Sequence, residues 1–120
     1  MSYDIYLNEK EESIGYSGTK YHEVLKMPHL HYEGGTINLC GEEKCILNVT
    51  YNYCNLFRFK SLDGKVAKDT LKEMKDFCEE HKGEPIDLDY WKSCPGNVRK
   101  ALEVLIRFSE QHPEGIWEVI

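Results

Sequence analysis

"LNVTYNYCN", residues 47–55, is the stretch that decides how this chain folds. Apolar and polar residues alternate through Leu47, Asn48, Val49 and Thr50, the period-two signature of a strand with one buried face. Leu47, Val49 and Tyr51 are expected to face the core. Ile46, Asn48, Thr50 and Asn52 then take the other face, which puts three hydrogen-bonding side chains in one row. Asn is depleted in strands because its amide competes for backbone partners, so such a row calls for a reason. Two are open. The three side chains line a ligand pocket roofed by Tyr53 and Trp91, or they bond loop backbone that would otherwise be orphaned.

Working outward, "TINLC" (36–40) and "CILNVTYN" (45–52) flank "GEEK", a four-residue hairpin loop of common length. "YDIYL" (3–7) alternates and reads as a first strand, with Tyr3, Ile5 and Leu7 on one face, and "IGYSG" reads as a short returning strand. Met27-Pro28 and Gly34-Gly35 interrupt the segment between them. Downstream, "YCNLFRFK" is a short helical segment with Asn52 placed to cap it. Asp63 is expected to cap a helix over 66–81 with the apolar stripe Ala67, Leu71, Met74, Phe77 and Cys78, ended by Gly83. "EPIDLDYWKSC" is a loop with Ile86, Leu88 and Trp91 as apolar anchors.

"PGN" opens the last helix, with Asn97 as N-cap and Val98, Ala101, Leu102, Leu105 and Phe108 as its buried stripe. Pro113 and Gly115 stop it, and "IWEVI" returns as a closing strand. The expectation is a single α+β domain over 1–120: a small, mainly antiparallel sheet with two amphipathic helices packed on one face.

Composition bounds the function. With 120 residues, 41% hydrophobic and 30% charged, the disordered and fibrous classes are excluded. The formal charge of −6 argues against nucleic-acid binding, which needs a clustered basic surface. In "KDTLKEMKDFCEEHK" the two signs interleave as on an ordinary solvated helix, which disfavours mimicry of DNA. No apolar run approaches the roughly 18–20 residues of a membrane span, and "MSYDIYLNEKEE" does not read as a secretory signal. The expected compartment is the cytoplasm, where the five cysteines stay reduced.

Four further constellations in the chain bear on function. His29, His31, Cys40 and Cys45 are a sufficient set for tetrahedral zinc, but four residues separate the cysteines where the usual zinc hairpin has two. No cysteine sits in a context that resembles an activated nucleophile; Cys94, near a helix start, comes nearest. Gly96 and Asn97 suit a helix start whose free N–H groups bind an anion, and equally an ordinary cap. Tyr6, Tyr16, Tyr21, Tyr32, Tyr53, Tyr90, Trp91 and Trp117 exceed what a two-helix core needs, which implies a partner or ligand if several share a face.

Taken together, "MSYDIYL", "GGT", "LNVTYNY", "GK", "DYW", "PGNVRKAL" and "HPEGIW" resemble a family of small phage and prophage proteins. The phrases around "TYNY" and "DYW…PGN…AL" carry the likeness, which spans nearly the whole chain; "KYHEVLKMPHLHY" stands outside it. The resemblance implies an origin in a phage or a prophage of a Gram-positive host more than a particular chemistry. It also implies one small site from Thr50, Asn52, Gly96 and Asn97, with Tyr51, Tyr53 and Trp91 as companions. The functional expectation is a non-enzymatic binding protein without a cofactor. It either docks on a host immune protein or sequesters a nucleotide-like ligand near Thr50, Asn52, Trp91 and Asn97. The alternatives are a small enzyme using Asn52 and Asn97 to position substrate, with Asp87, Asp89 or His31 as acid or base, and a purely structural or interaction protein with no pocket.

Overall fold

Alternation of Ile5 and Leu7 with Asp4, Tyr6 and Asn8 builds a strand with one apolar face, and the rest of the molecule assembles on it. The computed structural model describes residues 1–9, 12–13, 31–32, 35–36 and 47–120. In chain order the described strands are β1 (Ser2–Glu9), β2 (Glu12–Ser13), β3 (His31–Tyr32), β4 (Gly35–Thr36), β5 (Leu47–Thr50) and β6 (Ile116–Val119). Helices α1 (Ala67–Glu80) and α2 (Pro95–Gln111) lie between the last two strands.

Strand β1 is the centre of an antiparallel sheet. Ser2 to Ile5 pair with Thr50 to Leu47 of β5, and Asn8 and Glu9 pair with Ser13 and Glu12 of β2. Ile5 to Asn8 pair with Val119 to Ile116 of β6. Ile5 faces both β5 and β6, and Asn8 both β2 and β6, so β6 holds one edge while β5 and β2 share the other. Strands β3 and β4 form a separate two-residue antiparallel pair. The expected hairpin of residues 36–52, the returning strand at 14–18 and the interrupted segment 19–30 lie largely outside the described residues.

The apolar face of the sheet carries Ile5, Leu7, Leu47, Val49, Trp117 and Val119, all buried. Both helices cover it, as the two amphipathic patterns require. The stripe Val98, Ala101, Leu102, Leu105 and Phe108 of α2 is buried throughout. On α1, Ala67 and Met74 are fully buried, while Phe77 and Cys78 pack at the margin of the core. Burial raises the Cys78 thiol to about 11, so it stays a protonated, small packing residue. Fully burying one large aliphatic or aromatic side chain contributes about 1.5–3 kcal/mol, so this layer is the main source of stability.

One buried polar contact locks the layers together. Thr70 of α1 is fully buried; its hydroxyl donates to Ala67 O at 2.7 Å and accepts from Trp117 Nε1 at 2.9 Å. The indole N–H of β6 thereby finds its partner on α1, which fixes the sheet against the helix.

Several local expectations need correction. Strand β5 ends at Thr50, because the Thr50 hydroxyl accepts the Asn52 N–H at 3.2 Å and starts a 310 turn over Tyr51–Asn55. Thr50, not Asn52, is its cap, and Tyr51 turns outward to pack on Tyr3 with ring centroids 4.3 Å apart. A second 310 turn spans Phe59–Leu62. Asp63 does not cap α1; its carboxylate accepts the Val119 N–H at 2.9 Å, joining the turn to β6. Helix α2 begins at Pro95 with Cys94 as the capping position, because proline at a first helical position needs no N–H partner. Asn97 is therefore inside the first turn, where its side chain is free to bond elsewhere.

Candidate functional site

Residues 82–94 cross the end of the molecule between the two helices. Gly83 opens this loop in the left-handed region with φ of 84°, a conformation glycine adopts without cost. The loop then passes directly over the start of α2. A β-carbon at Gly96 would lie 2.0 Å from Pro85 O, so only glycine admits the crossing. Gly96 serves a close backbone approach here.

Asn97 is the hub. Its Nδ2 donates to Asp89 O and to Lys92 O, each at 3.1 Å, and its Oδ1 accepts the Asp87 N–H at 3.0 Å. Both amide hydrogens and the carbonyl oxygen are thus bonded to loop backbone. Two Asx turns add to this: Asp87 accepts the Asp89 N–H at 2.8 Å, and Asp89 accepts the Trp91 N–H at 3.0 Å. The Asp89 N–H, aided by Lys92, holds the Asp87 carboxyl below the ordinary carboxylate range. Asn52 Nδ2 donates to Trp91 O at 2.8 Å, and Ser93 Oγ to Asn55 Oδ1 at 2.6 Å, which tie the loop to the 310 turn after β5.

Tyr90 completes the frame from below. It is 2% exposed. Its hydroxyl donates to Asn48 O and accepts the Thr50 N–H, both at 3.0 Å, and Tyr53 OH donates to Tyr90 O at 2.5 Å. Burial pushes the Tyr90 phenol up to about 12, so it stays neutral and keeps its proton for Asn48.

The expected site residues therefore divide. Thr50, Asn52, Tyr53, Trp91, Gly96 and Asn97 converge on this loop, but the side-chain hydrogen bonds described for Thr50, Asn52, Tyr53 and Asn97 run to main-chain groups. Asn48 points its side chain away, to the outer sheet face, where Nδ2 donates to Ser2 Oγ at 2.8 Å and Asp4 Oδ1 at 2.7 Å. The row of three is broken because Thr50, the last residue of β5, is buried and turns its hydroxyl to the Asn52 N–H, and Asn52 lies in the 310 turn beyond the strand. His29, Cys40 and Cys45 lie outside the described residues, and of His31 only the backbone is described. Among the described residues, no group of three or more His, Cys, Asp or Glu side chains is placed to hold a metal ion.

The aromatic surplus divides as well. Tyr53, Tyr90 and Trp117 are core residues. Tyr16 and Tyr21 lie outside the described residues, and of Tyr32 only the backbone is described. The loop reverses the sequence expectation: Ile86, Leu88 and Trp91 are not anchors. Ile86 and Trp91 are each 42% exposed and Leu88 is 94% exposed, while Tyr90 is the anchor. The signal for this lay in "DLDYW", where two aspartates with Asx-turn spacing define a built loop. Which of the four apolar side chains turns inward depends on tertiary contacts that no local spacing encodes.

A second feature escaped sequence reasoning altogether. Tyr3, Cys54, Arg58, Lys60 and Ser61 line a hollow of about 430 Å³ beside the two 310 turns.

Comparison with family models, with curated proteins and with solved structures finds no match to this chain. No described helix is long and apolar enough to cross a membrane.

Proposed function

We propose that this chain is a non-enzymatic binding protein that docks on another protein through the loop of residues 84–94. The observation that carries the reading is a contradiction in burial. The loop backbone is tied down by Asn97, Asn52, Tyr90 and two Asx turns, yet it holds Leu88 almost wholly in solvent with Ile86 and Trp91 beside it. Exposing a leucine to this degree on a tethered loop brings the folded monomer nothing. A partner gains from it, because a preorganised anchor loses little conformational entropy on binding. Trp91 adds the residue type most enriched at binding hot spots.

The partner's chemistry follows from the rim. Glu84, Asp87 and Asp89 flank the apolar side chains on a chain of net charge −6, which fits an apolar groove edged by arginine or lysine. Capture of a nucleotide-like ligand by Thr50, Asn52 and Asn97 is disfavoured because the Thr50 hydroxyl, the Asn52 Nδ2 and the whole Asn97 amide are bonded within the frame. For the enzymatic alternative, Asp87 pairs with Lys92 at 3.2 Å and accepts the Asp89 N–H, and Asp89 accepts the Trp91 N–H, so both carboxylates are engaged in holding the loop. In line with the phage and prophage resemblance, the partner belongs to the host cytoplasm, and a bacterial defence protein is the class that an acidic phage inhibitor would block.

The test is site-specific photo-crosslinking in host cells. A benzophenone amino acid at Leu88 is expected to give one discrete protein adduct, lost when Trp91→Ala is added. The same group at Lys72, exposed on α1, is expected to give none. Equal adduct patterns at the two positions, or no adduct at 88, would overturn the proposal.

A further inference from the structure

The hollow beside the two 310 turns is chemically unlike the rest of the chain. Among the described residues its walls carry two cations, a phenol, a thiol and a hydroxyl, and no carboxylate, although the protein has 21 acidic against 15 basic residues. Arg58 and Lys60 reach it from the junction of the turns, two residues apart, so both charges are delivered to one place by local backbone geometry. Among the described residues, no carboxylate lies within ion-pair distance of the Arg58 guanidinium. Lys60 is held from behind: its ammonium donates to Val119 O and stands 3.7 Å from Asp63 Oδ2. A cation fixed in this way costs less to order around a ligand than one on a free stem.

The remaining walls supply donors and a platform. The Cys54 thiol points at Tyr3 OH across 3.7 Å, so the phenol acts as acceptor there and keeps its own proton for another oxygen. Tyr51 packs behind the Tyr3 ring and steadies it. A volume of about 430 Å³ falls in the range of small-molecule sites and is more than one bare phosphate fills.

We propose that this hollow binds a small organic oxyanion, a phosphate or carboxylate carried on a flat ring. Arg58 takes two anion oxygens in its planar fork, Lys60 adds a point charge, and the Tyr3 hydroxyl donates to an anion oxygen while its ring supports the ligand's apolar part. The site is separate from the docking loop, since Ile86, Leu88 and Trp91 are not among its lining residues.

Cys54 is a built-in reporter. The full chain is treated with N-ethylmaleimide in the presence of phenyl phosphate, benzoate or phenol at equal ionic strength, and modification of each cysteine is located by peptide mass. Phenyl phosphate or benzoate is expected to slow Cys54 modification at least tenfold, leaving Cys78 and Cys94 unchanged. The stronger of the two identifies the ligand as phosphate or carboxylate. Arg58→Gln, at an exposed position, is expected to remove the protection without changing the melting temperature or the crosslink at Leu88. Equal Cys54 rates with and without the two anions, equal protection by phenol, or full protection in Arg58→Gln would each overturn the proposal.

Discussion

The two tryptophans of this chain do opposite things. Trp117 is 1% exposed, donates its indole N–H to Thr70 on α1, and stands among the sheet residues that both helices cover. Trp91, 42% exposed, is carried on a loop whose polar neighbours bond the backbone and leave the ring in solvent. In the first region hydrogen bonding serves burial of the aromatic. In the second, burial of one residue, Tyr90, and the amide of Asn97 serve exposure of the others. A fold can thus use the same residue type to close its core and to present a surface, and the polar contacts around it tell the two apart.

This contrast is easiest to break at Trp117. Trp117→Ala removes the largest fully buried side chain and the indole N–H that Thr70 accepts, and a loss of about 3–5 kcal/mol is expected in denaturant titration. A loss below 1 kcal/mol would mean that the indole does not join the layers.

Asn97→Ala tests the other region. It leaves the Asp87 N–H and the Lys92 carbonyl without this partner, and the Asp89 carbonyl with the Lys92 N–H alone, for an expected loss of about 1–3 kcal/mol. Asn97→Asp is expected to be costly too, because a carboxylate cannot donate to the two carbonyls. An aspartate variant as stable as the parent would contradict the assigned amide orientation.

A smaller effect is confined to alkali. The folded state raises the Tyr90 phenol from 10.0 to about 12, so its contribution is fully present below pH 10 and is lost as pH rises through 12. Stability measured across that window is expected to fall more steeply in the parent than in Tyr90→Phe. Parallel slopes would place Tyr90 outside the frame.

The least effect on folding is expected at the exposed tip. Leu88→Ser and Trp91→Ala should each change stability by less than about 0.5 kcal/mol, while the crosslink at the loop disappears in the tryptophan variant. A destabilisation as large as that of Asn97→Ala would show that the tip packs on the protein itself.

Much of the fold was legible in the sequence. Period-two alternation marked β1, β5 and β6, and spacing by three and four marked the buried stripe of α2, because burial of one face imposes these periods directly. The convergence of Asn52, Trp91 and Asn97 was also legible. What the amides do there was not, since an amide bonds a ligand or a carbonyl with the same atoms. Asn52 lost its expected capping role to Thr50, and Asn97 to Cys94, because a cap is settled by one or two dihedral angles that neighbouring residues leave undetermined. The hollow at Arg58 and Lys60 needed the tertiary placement of Tyr3, fifty-odd residues away, and had no local signature.

Amide hydrogen exchange along residues 84–94 probes the frame most directly. The Asp87 and Trp91 amides, bonded to Asn97 Oδ1 and Asp89 Oδ1, are expected to exchange at least tenfold more slowly than free-coil amides. In Asn97→Ala the Asp87 amide should revert to the coil rate while the core of α2 remains protected. Coil-rate exchange across the whole segment in the parent protein would mean that nothing holds Leu88 and Trp91 outward, and the docking loop would have no structural basis.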